Sequence, residues 1–292
     1  MRRWGFGRRA ALTFAVLAAA AVAANAATLS LRFGEGEDFV GHAFGVRVVD
    51  AATFAELARF DVPKVESAPF ELDLGSLETG RSYRIDLYAD DSGNGRYDPP
   101  PVDRAWRMVV GPVLVDGSIE VPVDGPQIDI DWPPRVDGRI EAGEYRHTWT
   151  DSETGITLSW QNDAEVLSLG LSAATTGWMA VGLDPSARMQ GADFLLAAIV
   201  GGQVLVEDHY GVGQTVHRKD ATSHVIQAAG VEANGVSVVE FSLRLASGDP
   251  SDAHLEPGQH VTVLLALHAT QDDFVSRHTR RSTGSIVLDG GR

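Results

Sequence analysis

Leu167-Ser168-Leu169-Gly170-Leu171 alternates large apolar side chains with small or polar ones. An extended strand sends successive side chains to opposite faces, so this run lays three leucines on one face and frees the other. The same period of two returns outward from it, in Val46-Arg47-Val48, in Tyr83-Arg84-Ile85-Asp86-Leu87 and in Val239-Glu240-Phe241-Ser242-Leu243-Arg244-Leu245. Gly, Asp, Asn and Pro separate the runs, and beyond the N-terminal segment there is neither a long helical period nor a strand–helix–strand rhythm. Short strands of this kind bury one face each by stacking as sheets, which makes the fold class all-β.

A Gly- and Pro-rich stretch, VDGPQIDIDWPPR from Val123 to Arg135, divides the chain, and Pro133-Pro134 favours an extended connector there. The expected organisation is two consecutive antiparallel β-sandwich domains, over residues 27–125 and 135–292, joined by a linker at 126–134. Each is long enough to bury a core. Residues 1–26 read as a signal peptide: Arg2, Arg3, Arg8 and Arg9, an apolar run from Ala10 to Ala24, then Ala24-Asn25-Ala26 for cleavage. The apolar run is shorter than the roughly 20 residues of a spanning helix, which disfavours the competing reading of an uncleaved anchor. Arg8-Arg9 also fits twin-arginine export. The expected location is periplasmic or secreted, with no membrane span after cleavage.

The formal charge of −16 becomes −20 once the four arginines of the leader are removed. Such a surface repels nucleic acid and anionic lipid. The chain has no cysteine, which excludes disulfides, covalent c-type haem, iron–sulfur clusters and thiolate zinc sites. Any metal must be held by His, Met, carboxylates or carbonyls.

In the first half, Asp90-Asp91-Ser92-Gly93-Asn94-Gly95-Arg96-Tyr97-Asp98 concentrates oxygen donors. Counted from Asp90, the side chains of Asp90, Ser92, Asn94 and Asp98 and the carbonyl of Arg96 fall at calcium-loop positions, with Gly95 at the sharp turn. Position twelve is Pro101 instead of the usual bidentate Glu, with Asp103 nearby as a substitute. Two readings stay open: a calcium loop, and a turn rich in Asp, Asn and Gly that needs no ion.

In the second half, separated motifs follow one another in order. They are Val136-Asp137-Gly138-Arg139-Ile140 with Gly143-Glu144-Tyr145; Gly177-Trp178-Met179-Ala180-Val181-Gly182-Leu183; and Arg188-Met189-Gln190-Gly191-Ala192-Asp193. Then come Glu207-Asp208-His209-Tyr210 with Asp220; Phe241-Ser242-Leu243-Arg244-Leu245 with Asp249 and Asp252; and His278 with Arg280-Arg281 before a last strand. This ordered set resembles the DOMON domain, a β-sandwich family that holds b-type haem or sugars. The first motif corresponds to the family's opening strand. The resemblance implies Met189 and His278 as axial ligands of a non-covalent haem b. The guanidinium groups of Arg280 and Arg281 suit its propionates, and Trp178 either lines the pocket or fills the sandwich core.

A thioether and an imidazole are a coherent iron pair that leaves no open coordination position, which favours electron transfer over catalysis. Met179 and His268 are the competing ligands, although Met179 lies in an apolar strand that reads as core. A Met in a turn can also be a gap-filler, and Arg277, Arg280 and Arg281 can pair with Asp272 and Asp273 instead. No nucleophile elbow or phosphate loop is present, so a catalyst is not expected. The functional expectation is an exported haem protein transferring single electrons with a redox partner protein. The alternatives are a carbohydrate-binding module, marked by an exposed coplanar pair among Trp149, Trp160 and Trp178, and a calcium-dependent surface interaction module.

Overall fold

A computed structural model describes residues 26–34 and 39–290; the expected signal peptide, up to residue 25, lies outside them. The chain is all-β. Among the described residues there is no α-helix, and no helix is long and apolar enough to cross a membrane.

Residues 26–120 build two sheets. One has the order β4-β1-β7, from β1 (Ala26–Phe33), β4 (Phe70–Glu78) and β7 (Gly117–Glu120); the other has the order β3-β2-β5-β6, from β2 (Ala43–Asp50), β3 (Glu56–Val62), β5 (Tyr83–Asp90) and β6 (Arg104–Val110). Leu29, Leu31 and Phe33 of the first sheet share one core with Val46, Val48, Ile85, Leu87 and Trp106 of the second. Pairing is antiparallel except between β1 and β7, which run parallel.

Residues 147–287 build two larger sheets. The five-stranded one, β15-β16-β10-β9-β8, takes β8 (His147–Thr150), β9 (Thr157–Asn162), β10 (Val166–Ala173), β15 (Val225–Ala233) and β16 (Val236–Arg244). The six-stranded one, β14-β13-β12-β11-β17-β18, takes β11 (Met179–Leu183), β12 (Asp193–Val200), β13 (Gln203–Gly213), β14 (Val216–Lys219), β17 (His260–Leu267) and β18 (Arg280–Val287). Leu167, Leu169 and Leu171 are fully buried between these sheets, against Val181, Leu195, Phe241 and Val263. Every pair in this half is antiparallel.

The stretch read as an opening strand, Val136 to Ile140, is a strap that bends at Asp137 and Gly138, where Gly138 has φ 87°, and joins no sheet. The reason is local: its N–H groups at Asp137, Gly138 and Arg139 all donate to Glu240 Oε2 on β16, at 3.2, 2.8 and 2.9 Å, instead of to a neighbouring strand. Between the two halves lies a buried ion-pair network. Asp86 of β5 is fully buried and accepts from Arg47 and Arg107, while Arg84 reaches Asp163 and Glu165 of the second half.

Candidate cofactor site

The outer face of the six-stranded sheet is apolar where a sheet's second face is ordinarily polar. Ala180, Phe194, Leu196, Leu264 and Ala266 form a cluster there with Trp178 and Phe274. Gly182 on β11 leaves the space for it: a Cβ at this position would fall 2.4 Å from the Phe194 ring. Two loops stand over this floor.

The first loop is the turn that carries Met189. Ser186 N donates to Gln190 O at 2.9 Å and Gln190 N to Ala187 O at 3.0 Å, while Arg188 takes a left-handed conformation with φ 54°. The turn lies directly on β13, where Gly191 N donates to Gly211 O and Gly211 N to Ala192 O. That contact requires a glycine, since a Cβ on residue 211 would sit 1.7 Å from the carbonyl oxygen of Met189. The second loop joins β17 to β18. Asp273 caps it by accepting from Val275 N and Ser276 N, Phe274 plugs it into the apolar cluster, and Thr279 N returns to Leu267 O. His278 stands at its end.

Met189 and His278 line one cavity of about 590 Å³, floored by Phe194, Leu264 and Ala266 and edged by Arg188, Arg281 and Glu153. The volume falls in the roughly 300–1,000 Å³ range of cofactor and small-molecule sites. Both side chains are half-buried. Burial, and then the positive charges of Arg281 and Arg277, push the His278 imidazole below its usual value. Its ring is therefore neutral at pH 7, the form that donates a lone pair to a metal. An apolar floor, a thioether, a neutral imidazole and two rim guanidinium groups fit a flat hydrophobic group bearing carboxylates.

Of the other residues expected here, Arg281 lines the cavity. Arg280, next along β18, points elsewhere and donates to Thr154 O at 3.4 Å. Trp178 is buried in the adjoining apolar cluster and is not at the cavity wall. Met179 is fully buried between the sheets. His268 Nδ1 is engaged as an acceptor for Thr270 N and Gln271 N, at 3.2 and 2.9 Å. Arg188 was missed by the sequence reading, although it precedes Met189 in the same turn. Trp160 and Trp178 are buried, so neither belongs to an exposed aromatic platform.

The oxygen donors of the first half converge in the loop between β5 and β6. Ser92 Oγ lies 3.0 Å from Asp90 Oδ1, and Asn94 Nδ2 donates to Asp98 Oδ2 at 2.6 Å. Asp90 also accepts from the backbone N–H groups of Gly93, Asn94 and Gly95, and Asp103 accepts from those of Ser92 and Asp98. The Arg96 side chain reaches Ala142 O at 3.4 Å.

Residues 152–268 match the family model of the DOMON domain, a match that ends before His278. Among curated proteins, the human DBH-like monooxygenase protein 1 is 25% identical over 125 residues, 42% of this chain and 20% of its own length. The Mus musculus protein of the same name is 27% identical over 118 residues, 40% of this chain and 19% of its own. The chain thus spans about a fifth of the length of these relatives. Similar solved structures include the cytochrome b domain of Coprinopsis cinerea pyranose dehydrogenase, with TM-score 0.35 and 14% identity over 48% of this chain and 86% of that one. Another is the cytochrome domain of Myriococcum thermophilum cellobiose dehydrogenase, with TM-score 0.36 and 11% identity over 50% and 90%.

Proposed function

With residues 152–268 forming a DOMON domain, we propose that this is an exported protein whose second sandwich holds haem b and exchanges single electrons with a partner protein. One observation carries the reading: Met189 and His278, contributed by different loops, line the same apolar-floored cavity. Met189 and His278 would hold the iron, and Arg188 and Arg281 would meet the carboxylates. When bound, the group supplies a reversible one-electron couple, and the Met ligand raises its potential. The chain's own part is to exclude water with Phe194, Leu264 and Ala266 and to present a neutral imidazole. Held by both Met189 and His278, the group would serve as an electron carrier.

The test is an absorption spectrum of the full chain titrated with haem. A low-spin b-type spectrum should develop at one haem per chain. Met189→Ala and His278→Ala should each abolish the low-spin form, whereas Met179→Leu should leave it intact. A protein that stays colourless, or that keeps the low-spin spectrum without Met189 and His278, overturns the reading. Binding of a neutral oligosaccharide in place of haem would put the carbohydrate alternative in its place.

A further inference from the structure

Five carboxylates collect in the second sandwich, none of them in the lining of the cavity that holds Met189 and His278. Asp193 opens β12 on the same face as the core residues Leu195 and Ala197, and Asp208 lies across from Leu195 on β13, so both turn inward. They are only 3% and 4% exposed. Asp220 and His224 approach from the β14–β15 connection, and Asp249 and Asp252 from the β16–β17 connection. Donor atoms of Asp208, His224 and Asp252 lie within 4.8 Å of one another, and so do those of Asp220, Asp249 and Asp252.

Most of these acids have an oxygen with nothing to bind. Asp193 Oδ1, Asp208 Oδ1, Asp220 Oδ2 and Asp252 Oδ1 are all buried without a hydrogen-bond partner. Their other oxygens are engaged: Asp208 Oδ2 accepts from His224 N at 2.9 Å, Asp193 Oδ2 from Ala253 N at 3.3 Å, Asp220 Oδ1 from Ala221 N and Thr222 N, and Asp252 from the Ser247 hydroxyl. A ring nitrogen also faces the group: His224 Nδ1 lies 2.8 Å from Asp252 Oδ2. Burial and the neighbouring carboxylates push Asp193 up to about 8 and Asp208 up to about 6. Orphaned buried oxygens of like charge are costly, and a cation in their midst removes the cost.

We propose that Asp193, Asp208, Asp220 and Asp252, supported by Asp249, bind a calcium ion. The donor set is almost all carboxylate oxygen, which selects a hard cation over zinc or copper. The oxygens come from two strand ends and two irregular connections, a flexible set that suits the six to eight ligands of calcium better than the strict octahedron of magnesium. Bound there, the ion staples both connections onto β12 and β13. Because Asp193 closes the turn that carries Met189, the staple also steadies one rim of the cavity. The inference does not depend on the haem reading.

The experiment uses the full chain carrying Asp98→Asn, so that the β5–β6 loop does not contribute. After chelation, calcium at about a hundredfold excess over its Kd should raise the melting temperature by about 5–10 °C, with less effect from magnesium and none from zinc. Adding Asp252→Asn or, separately, Asp220→Asn should abolish the shift. Each should also melt higher than its parent in chelator, because it removes like-charge repulsion; two variants guard against one failing to fold. The proposal is overturned by the absence of a calcium shift, by a shift that survives both variants, or by a response to zinc without one to calcium. Haem absorbance is not read, so this failure and that of the haem proposal are separable.

Discussion

Glu240 sits between Val239 and Phe241, two core residues of β16, and alternation would turn it to solvent. It is instead fully buried. Its carboxylate accepts from three consecutive backbone N–H groups of the strap and from Tyr145 Oη at 2.8 Å. The strap covers Gly170, where a Cβ would meet Ile140 at 2.7 Å. Glu240 thus does for the strap what a neighbouring strand does elsewhere, satisfying donors that burial would otherwise strand. Glu240→Ala leaves Asp137 N, Gly138 N and Tyr145 Oη without an acceptor, while Arg139 N keeps Asp137 Oδ1, and the expected loss is about 3 kcal/mol or more. Urea unfolding measures it, and a change below about 1 kcal/mol would show that water or another side chain replaces the carboxylate.

At the level of the element, the Met189 turn and the end of β13 form a single unit. The turn's backbone closes on β13 through Gly191 and Gly211, and no side chain fits between them at residue 211. Gly211→Ala forces the turn away from the sheet. Overpacking of this kind costs about 1–3 kcal/mol. Hydrogen exchange at Gly191 should quicken by more than exchange in β16, which the substitution does not touch. An unchanged unfolding midpoint together with unchanged exchange would mean that the turn's position does not depend on this contact. The turn's motif was readable from the residues alone, but its seat was not, because Gly211 becomes its partner only through the pairing of β12 with β13.

Across the whole molecule, the two halves meet through Asp86, Arg47, Arg84, Arg107, Asp163 and Glu165. Burial alone would raise the Asp86 carboxyl, but Arg47, Arg107 and Arg84 outweigh it and hold it below the ordinary value of 3.8. A carboxyl with a depressed folded pKa contributes stability above its unfolded pKa and loses it as the pH falls toward the folded one. Asp86→Asn leaves buried guanidinium groups unpaired and should cost about 3–5 kcal/mol near pH 7. The gap to the wild type should narrow as the pH drops below about 4. Melting curves from pH 7 to pH 2 test this, and a gap that does not change with pH would separate the loss from the carboxylate's charge.

The sequence by itself determined the all-β class and the core faces of the strands. Period-two alternation is a local property, and Leu167, Leu169 and Leu171 bury as that rule requires. Only the tertiary structure decided what covers the opposite faces. Arg84 and Asp86 meet the other half of the chain, and Glu240 meets the strap. Alternation says that such a residue leaves the core. Whether it then meets water, a strap or a guanidinium depends on segments far away in sequence, and only folding brings them within bonding distance.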